Sequence, residues 1–115
     1  MNKIEILVIG RHPQIMETVV RLIKQNEKWN ADAALTDEKA VELFHQRNYD
    51  IILLCSGIEE ASEKKLRSLF TFQNPDIIII QHYGGGSGLL SNEILQALDK
   101  WEKENKPVIN FKDGI

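Results

Sequence analysis

The sequence predicts a doubly wound α/β domain built on a parallel sheet. Short apolar runs alternate with amphipathic segments at helical spacing along the whole chain, and the runs are apolar on consecutive rather than alternate positions. The connection between one run and the next is long enough to hold a helix. Strands separated by helices lie parallel, because the crossover is too long for a hairpin. Strands apolar on both faces belong to a sheet covered by helices on both sides. The 115 residues suit a single domain, 1–115, with one core.

The elements follow in order. Ile4, Ile6, Leu7, Val8 and Ile9 make an apolar run ending at Gly10, a buried strand. Pro13 suits the first turn of a helix, where its missing N–H leaves nothing unpaired. Ile15, Val19, Leu22 and Ile23 then repeat at helical spacing, with Met16 and Val20 widening the stripe, which predicts a helix from Pro13 to Asn26 or Glu27. NADAALTD is a thinner strand at the periphery of the sheet. Thr36 or Asp37 caps the next helix, whose apolar face is Ala40, Val41, Leu43 and Phe44. The strand Ile51–Leu54 follows, then a helix over Glu59–Phe72 with Leu66, Leu69 and Phe70 inward. Ile77–Ile80 is the most strand-like segment present. The loop HYGGGSG leads to a helix over Leu90–Asn105, with Ile94, Leu95, Leu98 and Trp101 at helical spacing. Pro107–Phe111 is predicted as a fifth and last strand.

Composition narrows the function. Apolar residues are 43% of the chain and charged residues 27%, enough for a core and a solvated surface. The net charge is −3 with acids and bases interspersed, so neither nucleic acid nor a membrane surface is an expected partner. One cysteine cannot close an internal disulfide, which fits a reducing compartment. The start MNKIEILVIG is too short and too charged for a secretory signal, and no apolar run reaches spanning length. A cytoplasmic protein is the expectation.

In a doubly wound fold, ligands and chemistry collect beyond the carboxyl ends of the strands. Those ends are Gly10-Arg11, Cys55-Ser56, Gln81-His82 and Lys112. Cys55 has two readings. As a small, apolar, buried residue it simply fills space. Flanked by Arg11 and Lys112, it would be a low-pKa thiol able to sense oxidants. CSGIEEAS also bears a faint likeness to the phosphocysteine loop of sugar-phosphotransferase IIB components, but Glu59 and Glu60 would repel an anion there. GGGSG, Gly84–Gly88, has neither the lysine of a P-loop nor the spacing of a dinucleotide site, and reads as a flexible connection. His12 and His82 both follow strand ends and are placed to approach each other at the rim. With His45 they make no metal set by spacing. No cofactor, catalytic carboxylate pair or Ser-His-Asp order is indicated.

Three segments, ILVIGRHPQIMETVVRLI, ALTDEKAVELFHQRNYDIILL and PDIIII, make the chain resemble a response-regulator receiver domain of the CheY-like type. The resemblance implies the flavodoxin-like fold, three layers with five parallel strands. It also implies phosphoryl transfer to an aspartate ending the third strand. An acidic pair after the first strand would bind Mg²⁺, with a hydroxyl residue ending the fourth strand and a lysine ending the fifth. Carried onto this chain, the acidic pair falls on Gly10 and Arg11, the phosphoacceptor on Cys55, the hydroxyl on Gln81 and the lysine on Lys112. Of these positions only the lysine is kept. The resemblance therefore implies a degenerate pseudo-receiver in two-component signalling that is not an enzyme, holds no metal and acts by protein–protein contact.

Receivers also end in a helix after the last strand, and here only Lys112–Ile115 remain. A missing last helix would leave apolar sheet open to water. Either a longer chain or a second copy would cover it, which makes a homodimer the expected partner arrangement, alongside a protein partner at about Leu90–Phe111. The alternative function is a phosphocarrier or redox domain using Cys55.

Overall fold

The structure, a computed structural model, describes residues 3–84 and 87–105. Its elements are β1 (Ile4–Ile9), α1 (Pro13–Lys24), β2 (Trp29–Ala34), α2 (Asp37–Gln46), β3 (Ile51–Cys55), α3 (Glu60–Gln73), β4 (Ile78–His82) and α4 (Ser87–Asn105). The strands form one parallel sheet in the order β2-β1-β3-β4. β1 and β3 are central, and Ile6, Leu7, Val8, Ile51, Ile52 and Leu53 are wholly buried, as strands apolar on both faces require. β2 lies at one edge, as its thinner pattern suggests.

Two expectations are corrected. The described residues give a four-stranded sheet with four helices, not five strands. The predicted fifth strand, 107–111, and Lys112 lie outside the described residues. The second correction concerns the sheet face expected to stand open. One core layer joins Ile6, Val8, Ile51 and Leu53 of the sheet to Met16, Val19 and Ile23 of α1 and to Leu90 and Ile94 of α4. The other joins Leu7, Ile9, Ile52 and Leu54 to Ala40 of α2 and to Leu66 and Phe70 of α3. α4 therefore lies beside α1 and closes that face of the central strands.

Local chemistry explains the element ends. Pro13 occupies the first turn of α1, and the Thr36 hydroxyl caps α2 by accepting from the Lys39 N–H at 3.1 Å. β4 runs two residues beyond the expected Ile80, because its polar end is satisfied. The Gln81 amide donates to the Leu54 carbonyl at 3.1 Å, and His82 pairs with a carboxylate on α4. At the opposite end of the sheet Tyr49 donates to Asp32 at 2.7 Å, and Arg47 bridges Asp32 and Glu5.

Candidate functional site

The carboxyl ends of β1, β3 and β4 bring together Gly10, Arg11, Cys55, Gln81 and His82. Gly10 is a place of close approach. A Cβ there would stand 2.5 Å from Met16 Sδ and 3.2 Å from Cys55 Cβ. Met16 and Cys55 are 2% and 4% exposed, so the thioether of α1 and the thiol of β3 occupy the space in front of β1. The loop after β3 turns at Gly57, whose φ of +98° suits glycine, and the His12 ring lies against it.

Arg11 points away from Cys55. Its guanidinium donates to Asp37 Oδ1 at 2.6 Å, to Glu59 Oε1 at 3.2 Å and to the Leu35 carbonyl at 3.2 Å. One cation thus ties together the β2–α2 loop, the start of α2 and the residue before α3. It stands over an open cleft of about 830 Å³ between α2 and α3, lined by Leu35, Val41, Leu66 and Leu69 among others. Burial alone would raise the Asp37 carboxyl, but hydrogen bonds from Arg11 and Ser62 outweigh it and hold Asp37 below its ordinary value. Burial also opposes the Arg11 charge, and Asp37 and Glu59 more than restore it.

Cys55 sits on the other side of the sheet, in the α1–α4 layer. Burial pushes its thiol up to about 11, and the negative charge of Glu93 acts in the same direction. Of the two expected flanking cations, Arg11 is engaged with Asp37 and Glu59, and Lys112 lies outside the described residues. His82 is the register partner of Cys55 and is itself buried, with Nδ1 2.5 Å from Glu93 Oε1. His12 is exposed against Gly57 and His82 is buried against Glu93, so the two are not brought together as expected. His45 is exposed in the last turn of α2. Among the described residues no three His, Cys, Asp or Glu side chains are grouped to hold a metal ion.

The sequence reading missed Met16 as the filler before Gly10, and Asp37, Glu59 and Glu93 as charge partners. Met16 carried a signal, since it widens the α1 stripe on the side that faces the strand end. The carboxylates carried none, because their partners lie 11 to 48 positions away.

The thiol makes a pH prediction. Its folded value, about 11, lies above the 9.0 of a free thiol, so unfolding releases protons between these limits. The contribution is fully present below about pH 9 and is lost as pH rises towards 11, on the order of 2 kcal/mol. Tyr49 is raised too, by burial and by Asp32, and adds to the alkaline loss. Urea midpoints from pH 8 to 11 should therefore fall, and fall less in a Cys55→Ala variant. An equal fall in both would remove Cys55 as a cause.

No protein-family model matches the chain, and no curated protein matches it. Solved structures do match. A CheY-like response regulator receiver domain protein from Methanospirillum hungatei superposes with a TM-score of 0.74 at 15% identity, over 91% of this chain and 100% of that one. The chain has the CheY-like fold. The response regulator TrrA of Thermotoga maritima, in complex with Mg²⁺ and BeF, gives a TM-score of 0.64 at 22% identity over 88% of this chain and 99% of that one. A complex of the histidine kinase ThkA with TrrA gives 0.63 at 23% identity, over 88% and 98%.

Residues at the matching strand ends do not fit Mg²⁺, which needs hard oxygen ligands. Gly10 offers no side chain and Met16 fills its space, Arg11 is a cation, and Cys55 is a buried thiol held protonated. No helix of the described residues is long and apolar enough to cross a membrane.

Proposed function

We propose that this chain is a non-enzymatic signal-transduction module of the response-regulator type, a pseudo-receiver that works by protein contact without aspartyl phosphorylation. The observation that carries this reading is the packing at Gly10. The space in front of β1, where a receiver would hold carboxylates and a cation, is filled by Met16 and Cys55. Arg11 supports it from the other face, because its guanidinium already supplies a fixed positive charge to the loops after β2 and β3. Such a domain is held in one arrangement by its own side chains, and has no acyl phosphate to switch it. Its contacts are with protein, as in the ThkA–TrrA complex. The protonated, enclosed Cys55 weighs against the phosphocarrier and redox alternative, which needs an accessible thiolate.

The test is phosphorus NMR with amide spectra of the full chain, titrated with Mg²⁺ and then acetyl phosphate. The expected result is no new phosphorus signal and no saturable shift at Gly10, Cys55 or Gln81. A stable adduct, on aspartate or on sulfur, would overturn the proposal.

A further inference from the structure

Among the described residues β4 ends the sheet, and its outer edge points to a second copy of this chain. We propose that two copies join β4 to β4 about a two-fold axis through Ile79, making one continuous sheet across the dimer. This names the partner for the protein-contact function above and rests on that reading.

Among the described residues β4 is an edge strand, and Ile77 to Ile80 are half-buried beside a groove that they form with α4. The Ile78 N–H donates inward to the Asp50 carbonyl of the segment entering β3. Backbone groups alternate along a strand, so the N–H and C=O of Ile79 and Gln81 face outward. A bare apolar edge of this kind is a template for pairing unless charge, proline or a bulge blunts it, and IIII carries none of these.

The placement of α4 sets which way a right-handed crossover from it can lead. α1 carries the chain leftward from β1 to β2 on one face, while α2 and α3 carry it rightward on the other, all right-handed. A strand placed beyond β4 would be a further rightward step, but α4 lies on the α1 face. That crossover would be left-handed, an arrangement found in only about 2% of such connections.

Charge on α4 favours a second copy. Two hydrogen bonds fix its register on β4: His82 to Glu93 at one end, and the Trp101 indole to the Asp76 carbonyl at the other. The midpoints between these two bonds are Ile79 on β4 and Ala97 on α4, both lining the groove. A two-fold at that level makes Ile79 and the partner's Ile79 a hydrogen-bonded antiparallel pair, with Gln81 opposite the partner's Ile77. It also sets Lys100 opposite the partner's Glu93, and Glu93 opposite the partner's Lys100. Both side chains line the groove beside the edge, Lys100 is exposed, and Glu93 keeps one carboxylate oxygen beyond its bond to His82. A surface that is its own complement under a two-fold is what an isologous interface requires.

Sedimentation of the full chain tests this. The wild type is expected to be dimeric by about 100 μM. Ile79→Pro removes the central outward N–H without taking a bond from β3, and should weaken the dimer by about a hundredfold. Lys100→Glu, on an exposed helix position that leaves the fold intact, should weaken it by about tenfold, since both symmetric pairs become repulsive. Circular dichroism checks folding, and if Ile79→Pro does not fold, Lys100→Glu decides. A monomeric wild type, or a dimer indifferent to Lys100→Glu, overturns the proposal. A monomer that dimerises only on Ile109→Pro also overturns it, assigning the edge to residues 107–111. Phosphorus NMR remains the separate test of the pseudo-receiver reading: a dimer that takes phosphate would sink that reading and leave this interface standing.

Discussion

Replacing Gly10 by aspartate is expected to destabilise the domain by about 3 kcal/mol or more, lowering the melting temperature by roughly 10 °C. The substitution restores the residue type that the receiver resemblance asks for, and it requires the enclosed Met16 thioether to move aside. Its Cβ meets Met16 Sδ at 2.5 Å and Cys55 Cβ at 3.2 Å, and both side chains are already enclosed. Overpacking of this kind costs about 1–3 kcal/mol before charge is counted. The carboxylate would then face a thioether and a protonated thiol, while the guanidinium of the adjacent Arg11 is turned towards Asp37 and Glu59. An enclosed charge without a partner adds a penalty of similar size.

The contributions separate in a double-mutant cycle. Met16→Ala opens space beside Gly10, so Gly10→Asp should be less damaging in that background, with a coupling of about 0.5–3 kcal/mol. Thermal melts of the four proteins measure it. If Gly10→Asp left the melting temperature unchanged and conferred Mg²⁺-dependent amide shifts, the space would be adaptable and the argument from packing would fail.

The particular residues show what the sequence can carry. β1 and β3 were legible because continuous apolar runs have few other uses in a chain of this length. Helix starts were legible where the chemistry is local, as with Pro13 in the first turn of α1 and Thr36 capping α2. The end of β4 was not, because Gln81 and His82 look like loop residues until their distant partners, the Leu54 carbonyl and Glu93, are known. Arg11 could be placed at a strand end but not aimed, since its direction depends on carboxylates 26 and 48 positions away. The side of the sheet taken by α4 was illegible for a different reason. A stripe of Leu90, Ile94 and Leu98 says that a helix buries one face, not which of two apolar sheet faces receives it. The expectation of an uncovered face had another source, the receiver resemblance, whose last helix has no counterpart after the predicted fifth strand.

Ile94→Ala tests the corrected placement, and a loss of about 2–5 kcal/mol is expected. Ile94 is fully buried at the centre of the layer that joins α4 to α1, β1 and β3, in one cluster with Ile6, Val8, Ile51 and Leu53. Truncating it removes apolar contact and leaves a cavity, because the other members of its cluster, Met16 and Leu90 among them, are themselves buried and can relax only in part. Leu95 is the control. It follows Ile94 directly on the same helix but is 52% exposed, so Leu95→Ala should change stability by less than about 0.5 kcal/mol. Urea unfolding of the two variants gives the comparison, and amide exchange in β1 and β3 shows where the loss is felt. If both substitutions were mild, α4 would be a loosely attached helix, the α1 face of the sheet would be open after all, and a partner would be needed to cover it. A large loss confined to Ile94 means that the chain closes this face by itself, so that contacts with other proteins fall to the edge beside α4 rather than to the sheet beneath it.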